Sequence, residues 1–165
     1  MVLDEDGLRI TAFAVTHDPV KPAYGYRFDY GGRSVVVSGD TKKDAGLIAA
    51  AKGADVLFHE AQANHLVARI GEAAAKAGRP RVAKIMHDIP SYHTSPVQAA
   101  EAANEAGVKL LVLYHLTPSP PFRIVEWVFT RGVSDVRPDG WVLADDGLLV
   151  ELPVDSNAVT TRYLP

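Results

Sequence analysis

Four apolar, β-rich runs in this 165-residue chain stop at a group able to bind a metal or carry a proton: His17, Asp40, His59-Glu60 and His115. A neutral imidazole donates a lone pair to a zinc-like cation, and a carboxylate has two oxygens that can hold two cations side by side. Such a pair lowers the pKa of bound water toward ~7 and stabilises charge on attacking and leaving oxygens. The separations are 23 residues from His17 to Asp40 and 75 from Asp40 to His115, too long for a local motif, so only a fold could unite them. With no cysteine in the chain, Cys-ligated zinc, iron–sulfur clusters, disulfides and a thiolate nucleophile are excluded, and a metal must sit on His, Asp and Glu. Neither phosphate-loop pattern, Gly-x-x-x-x-Gly-Lys or Gly-x-Gly-x-x-Gly, occurs, nor does the Gly-x-Ser-x-Gly elbow of serine hydrolases.

The elements that must position these groups are legible as alternation, helix propensity and breakers. Residues 8–15 alternate and lead into Thr16-His17-Asp18-Pro19; residues 24–30 and 33–38 flank the turn signal Gly31-Gly32, and the second ends in Gly39-Asp40-Thr41. A helix is expected over 43–52, a short strand over 55–58 before His59-Glu60, and a helix over 61–77 closed by Gly78-Arg79-Pro80. An irregular stretch is expected from there to His93. Ser95 as N-cap, Pro96 at the first helical position and Gln98 three after the cap announce a helix ending at Gly107. A strand over 109–114 ends in His115, three prolines between 118 and 121 bar regular structure, and a helix follows over 122–130. Residues 141–144 and 148–152 read as a closing hairpin, with 154–165 a loosely held tail of a single domain. Alternating strands and helices predict an α/β fold, a mixed sheet whose first portion is antiparallel.

Composition narrows the function. At 47% hydrophobic and 22% charged, the chain can bury a core and is not a disordered or coiled-coil protein. A net charge of −3 with no basic run gives no strong nucleic-acid signal and argues against an anionic-membrane surface. The acidic first residues do not form a signal peptide and no apolar stretch approaches the ~18 residues of a membrane span, which favours a cytoplasmic location. Arg79, Arg81 and Lys84 read as a solvated face, His65 as a surface residue, His87 and Asp88 as loop residues, and Trp127 and Phe129 as cover for the sheet.

The ordered set Thr16-His17, Tyr24-Gly25-Tyr26-Arg27, Ser38-Gly39-Asp40-Thr41, Phe58-His59-Glu60-Ala61, Tyr92-His93-Thr94-Ser95 and Tyr114-His115-Leu116-Thr117-Pro118 resembles the metallo-β-lactamase-fold hydrolases, in particular the ribonuclease Z and phosphodiesterase-like branch. The resemblance implies a two-metal site, usually zinc, whose bridging hydroxide attacks a phosphodiester or related ester. His17 matches a ligand of one metal, Asp40 the carboxylate bridging both, and His115 a ligand of the other. His93 matches a histidine outside the metal shell that assists turnover, and Glu60 the carboxylate that orients it. Successive strand residues face opposite sides, so His59 is expected to point away from Glu60 and from the site.

The chain departs from that pattern in having no His-x-His-x-Asp-His motif, which supplies most ligands in full-length relatives. The resemblance is therefore to a C-terminal half of the fold, lacking the N-terminal half, with at most two protein ligands per metal where a catalytic zinc has about three and a water. Weak metal binding, little hydrolysis by the chain alone, and self-association or pairing with a separate N-terminal half are the expectations. The alternative is a non-catalytic association or binding module.

Overall fold

The computed structural model describes residues 1–164. In chain order its elements are β1 (Leu3–Glu5), β2 (Leu8–Ala14), β3 (Tyr24–Tyr30), β4 (Arg33–Val37), α1 (Ala45–Ala51), β5 (Val56–Gln62), α2 (Asn64–Lys76), α3 (Pro80–Asp88), α4 (Pro96–Ala106), β6 (Leu110–Thr117), α5 (Arg123–Phe129), α6 (Val133–Val136), β7 (Trp141–Leu143), β8 (Leu148–Glu151) and β9 (Thr160–Tyr163), with a single 3₁₀ turn, Ile89–Ser91, after α3. Strands β1 to β7 form one sheet in sequence order. Pairing is antiparallel from β1 to β4 and parallel from β4 to β7, as the hairpin signal and the later strand–helix alternation require.

One face of the sheet is covered by helices. Val36, Leu57, Leu111 and Leu113 project into a core completed by Leu47 and Ala51 of α1, four alanines of α4, Phe129 and Val133. Alanine on α4 lets the helix sit close to the strands, and its start is the expected one: Ser95 Oγ accepts from the Gln98 N–H (3.2 Å) while Gln98 Oε1 accepts from the Ser95 N–H (3.1 Å). On the opposite face Val56, Leu110 and Val112 are covered by Leu148, Val150, Leu152 and Val159 from around the β8–β9 pair. That cover stops short of β3, where Tyr24, Tyr26 and Tyr30 stay 48%, 39% and 54% exposed.

Several expectations are corrected. Strand β5 runs on to Gln62 and β6 to Thr117, so Glu60 and His115 lie inside strands rather than after them, and α2 begins at Asn64. The stretch expected to be irregular contains α3, whose Val82, Met86 and Ile89 recur at helical spacing. Residues 141–144 and 148–152 do not pair with each other: β7 joins β6 in parallel, and β8 pairs with β9. The segment expected to be a loose tail thus supplies a strand, and Arg33 donates to the carbonyls of Pro153, Ser156 and Ala158. Phe129 is buried as expected, whereas Trp127 is 71% exposed.

Candidate metal and proton-transfer site

The carboxyl ends of the parallel strands share one rim, where an α/β sheet places its ligands. After β4 the chain turns through Gly39 at φ +62°, and a Cβ there would stand 2.3 Å from the Tyr24 carbonyl oxygen. Only glycine permits that approach, which sets the next residue, Asp40, at the rim. Thr41 then donates its backbone N–H to Glu60 Oε1 (3.1 Å).

Glu60 is fully buried and over-determined on one oxygen. Besides Thr41, Oε1 accepts from His93 Nδ1 (2.8 Å) and from the Thr94 N–H (3.3 Å), while Oε2 is buried with no protein partner. Its own N–H is held by Ser38 Oγ (3.0 Å), and Thr94 Oγ1 donates to the Thr41 carbonyl (2.6 Å), which ties the loop after β4 to the loop before α4. Burial pushes the His93 ring toward the neutral form, but its hydrogen bond to Glu60 and the charges of Glu60 and Asp40 prevail, and its pKa is raised. With Nδ1 committed to Glu60, Nε2 is the nitrogen left to exchange a proton.

His17 and His115 flank that ring. The His17 ring centroid lies 4.9 Å from that of His93, edge-on, and His17 Nδ1 donates to the Tyr92 carbonyl (3.0 Å). His115 stacks on the other side at 6.3 Å and 28°. It is the extra residue of a β-bulge: Glu60 pairs with Tyr114 and Ala61 with Leu116, so His115 has no partner and takes φ +47°. The bulge turns its ring toward Asp40, with His115 Nδ1 3.4 Å from Asp40 Oδ1. A non-glycine residue held at positive φ is strain retained beside the rim. A solvent-open cavity of about 480 Å³ adjoins His115, lined by Phe58, Tyr114, Leu116 and Asp145 among others.

Thus His17, Asp40, Glu60, His93 and His115 meet at one rim. As donors for a cation, they fit in kind: the Tyr92 bond leaves His17 Nε2 with its lone pair, the arrangement a metal-binding histidine needs. They fall short in number, because among the described residues no three His, Asp or Glu side chains are grouped closely enough to hold an ion. His59 faces the helix side, fully buried, its Nδ1–H given to the Glu60 carbonyl (2.8 Å); burial pulls its pKa down to about 4 and keeps it neutral. His65 donates from Nε2 to the Val128 carbonyl (3.1 Å), and His87 is exposed beside Asp88 at the end of α3. The backbone donors of Thr41 and Thr94 and the acceptor carbonyl of Tyr92 were not foreseen. Their only signal is adjacency to Asp40 and His93, since a backbone group carries no residue type.

Residues 1–116 match the family model described as Beta-lactamase superfamily domain. The ribonuclease Z of Mycobacterium avium (strain 104) is 40% identical over 118 residues, which are 72% of this chain and 38% of that protein. The ribonuclease Z of Mycobacterium tuberculosis (strain H37Rv) is 37% identical over 116 residues, 70% of this chain and 38% of its own. The chain therefore spans well under half the length of these relatives. Among solved structures, the metallo-beta-lactamase fold protein YhfI from Bacillus subtilis aligns with a TM-score of 0.59 at 22% identity, covering 86% of this chain and 49% of that one. Zn(2+)-bound PqqB from Methylobacterium extorquens aligns at 0.52 and 19% identity, covering 88% and 47%.

Proposed function

The chain belongs to the beta-lactamase superfamily, and from that premise we propose that residues 1–165 form one domain of a metal-dependent phosphodiesterase of the ribonuclease Z type. The observation that carries this reading is the His93–Glu60 pair, held at 2.8 Å between the rings of His17 and His115. The relatives named as ribonuclease Z support an RNA phosphodiester as substrate class, and the zinc-bound neighbour supports zinc as the cation.

His17, Asp40 and His115 would hold the cation. When bound, zinc supplies Lewis acidity and an acidified water. His93 keeps its Nδ1 on Glu60, so its ring is fixed in one orientation and gives a proton from Nε2 to the departing oxygen as general acid. Glu60 cannot rotate away, since three donors converge on its Oε1.

The donors missing from this set would come from a segment or chain bearing a His-x-His-x-Asp-His motif. The test is zinc content by elemental analysis together with hydrolysis of bis(p-nitrophenyl) phosphate, for the chain alone and with such a partner. The expected result is little zinc and little hydrolysis alone, both rising on addition of the partner, and both abolished by Asp40→Ala. If zinc and hydrolysis stay flat with the partner present, the reading fails. The exposed tyrosines on β3 favour a second reading, an association module without catalysis. It predicts a stable homodimer by light scattering that takes up no zinc under any of these conditions.

A further inference from the structure

One buried histidine takes no part in the cation set or in the proton transfer. His59 is fully buried, and alternation sets it on the helix side of β5 with Leu57 and Ala61. Its Nε2 has no protein partner among the described residues, whereas its Nδ1 lies 2.8 Å from the Glu60 carbonyl oxygen. A carbonyl only accepts, and burial keeps the ring neutral, so the single ring proton sits on Nδ1. The polar capacity of this side chain is thus directed at one backbone group of Glu60.

That group needs a donor because β4 leaves the sheet early. In an extended strand the N–H and C=O of one residue point to the same edge, and those of its neighbours to the other. The β4–β5 pairing ends with Val37 opposite Phe58, and the Phe58 carbonyl accepts from the Ser38 N–H (2.9 Å). Glu60, two residues on, presents its N–H and C=O to that same edge, but the chain has turned away through Gly39. Side chains stand in for the strand: Ser38 Oγ accepts from the Glu60 N–H (3.0 Å), and His59 Nδ1 donates to the Glu60 carbonyl. On its other side the Glu60–Ala61 peptide lies where the pairing with β6 slips by one residue at the His115 bulge. Both ladders are therefore interrupted at one peptide, and a buried carbonyl left there without a donor would be free to turn.

We propose that His59 is a positioning residue for the His93–Glu60 pair: its Nδ1–H replaces the strand that departs at Gly39, fixes the Glu60–Ala61 peptide, and so fixes the direction in which Glu60 presents Oε1 to His93. The inference rests on the reading of His93 as the proton donor and adds to it a residue that touches neither substrate nor cation. It also separates the two ring nitrogens, since Nδ1 acts and Nε2 does not. Asn carries its amide N–H at the distance of Nδ1 from the backbone, and Gln, one methylene longer, carries it at the distance of Nε2.

The experiment begins with the parent chain alone and needs no variant to fold. NMR correlation of ring protons with nitrogen-15-labelled imidazoles should show the His59 proton on Nδ1 and a bare Nε2; a proton on Nε2 overturns the proposal. Amide hydrogen exchange then compares His59→Asn, His59→Gln and His59→Leu. The Thr41 and Thr94 N–H groups, both bonded to Glu60 Oε1, are measured relative to those of Leu111 and Ala144, bonded to the Gly140 and Leu113 carbonyls. That ratio should rise about tenfold or more in the Gln and Leu variants and stay within about threefold of the parent in Asn. Acceleration shared equally by all four amides marks a general loss of core stability and overturns the proposal. In the partner-completed enzyme, Gln and Leu should lower kcat for bis(p-nitrophenyl) phosphate by about tenfold or more with KM and zinc content unchanged, because a misdirected acid slows the chemical step. Asn should keep kcat within about threefold of the parent. Asn as impaired as Leu, Gln active where Asn is not, or Leu equal to the parent overturns the proposal. The ring-proton and exchange measurements require no zinc, partner or turnover. A parent that does not hydrolyse therefore indicts the reading of the site, and a misplaced ring proton or uniform exchange indicts His59.

Discussion

Strand β5 has a buried carboxylate at each end, and the two are treated in opposite ways. Asp55, just before the strand, has both oxygens saturated: Oδ2 accepts from Arg33 Nε (3.1 Å) and the Ser34 N–H (2.8 Å), and Oδ1 from Arg33 Nη2 (3.1 Å) and Lys109 Nζ (2.7 Å). Glu60 crowds three donors onto one oxygen, leaves the other without a partner, and among the described residues its one ion-pair partner is a histidine. Burial alone would raise the Asp55 pKa, yet Arg33, Lys109 and the Ser34 N–H hold it down at about 2. A permanent cation locks a carboxylate, whereas an imidazole can take and release a proton against it. The amino end of the strand is built for stability and the carboxyl end for exchange.

The sharpest way to break that contrast is His93→Ala. In the partner-completed enzyme it should lower turnover of bis(p-nitrophenyl) phosphate by about 10² to 10⁴ with zinc content unchanged, the range that loss of a general acid gives. Unaltered turnover removes the proton-transfer role. Next in size is Asp55→Asn, which strands the buried Arg33 guanidinium and should cost about 3–5 kcal/mol in urea unfolding.

The pH dependence of that gap sharpens the point. The folded pKa of Asp55, about 2, lies below its ordinary value of 3.8. Its contribution is therefore fully present above pH ~4–5 and is lost as pH falls through the folded value near 2, to the extent of about 2 kcal/mol. The stability difference between the parent and Asp55→Asn should accordingly narrow between pH 5 and pH 2; a constant difference would show that the depressed titration is not what stabilises this end. Smallest of all should be Glu60→Gln. The amide keeps an oxygen for the Thr41 and Thr94 N–H groups and removes a half-satisfied charge, so stability should move by less than about 1 kcal/mol. If it destabilises as much as Asp55→Asn, the two ends are not different in kind.

How far the sequence reaches is seen at α4 and α3. Ser95, Pro96, Gln98 and Gly107 are local signals, each acting within a turn of the helix end, and the helix lies where they place it. In α3 the apolar spacing was present, but Pro80 and Pro90 at its borders read as loop, and the helix went unexpected. The pairing of β7 misled for another reason. Asp145-Asp146-Gly147 is a good local turn, while the true partner of β7 is a parallel strand some thirty residues earlier, a contact no short-range pattern encodes. The Arg33–Asp55–Lys109 network was invisible likewise, its members lying far apart in the chain.

By itself the sequence determined the kinds of donor, their order and their place toward the carboxyl ends of the strands, together with the absence of cysteine and of a His-x-His-x-Asp-His motif, because residue type, alternation and capping are local properties. Only the tertiary structure decided that His17, His93 and His115 lie ring against ring, that a bulge aims His115 at Asp40, and that Glu60 shares its oxygen between two loops and an imidazole. Those are consequences of sheet register and loop crossing, set by burial summed over the whole core rather than by any one stretch of chain.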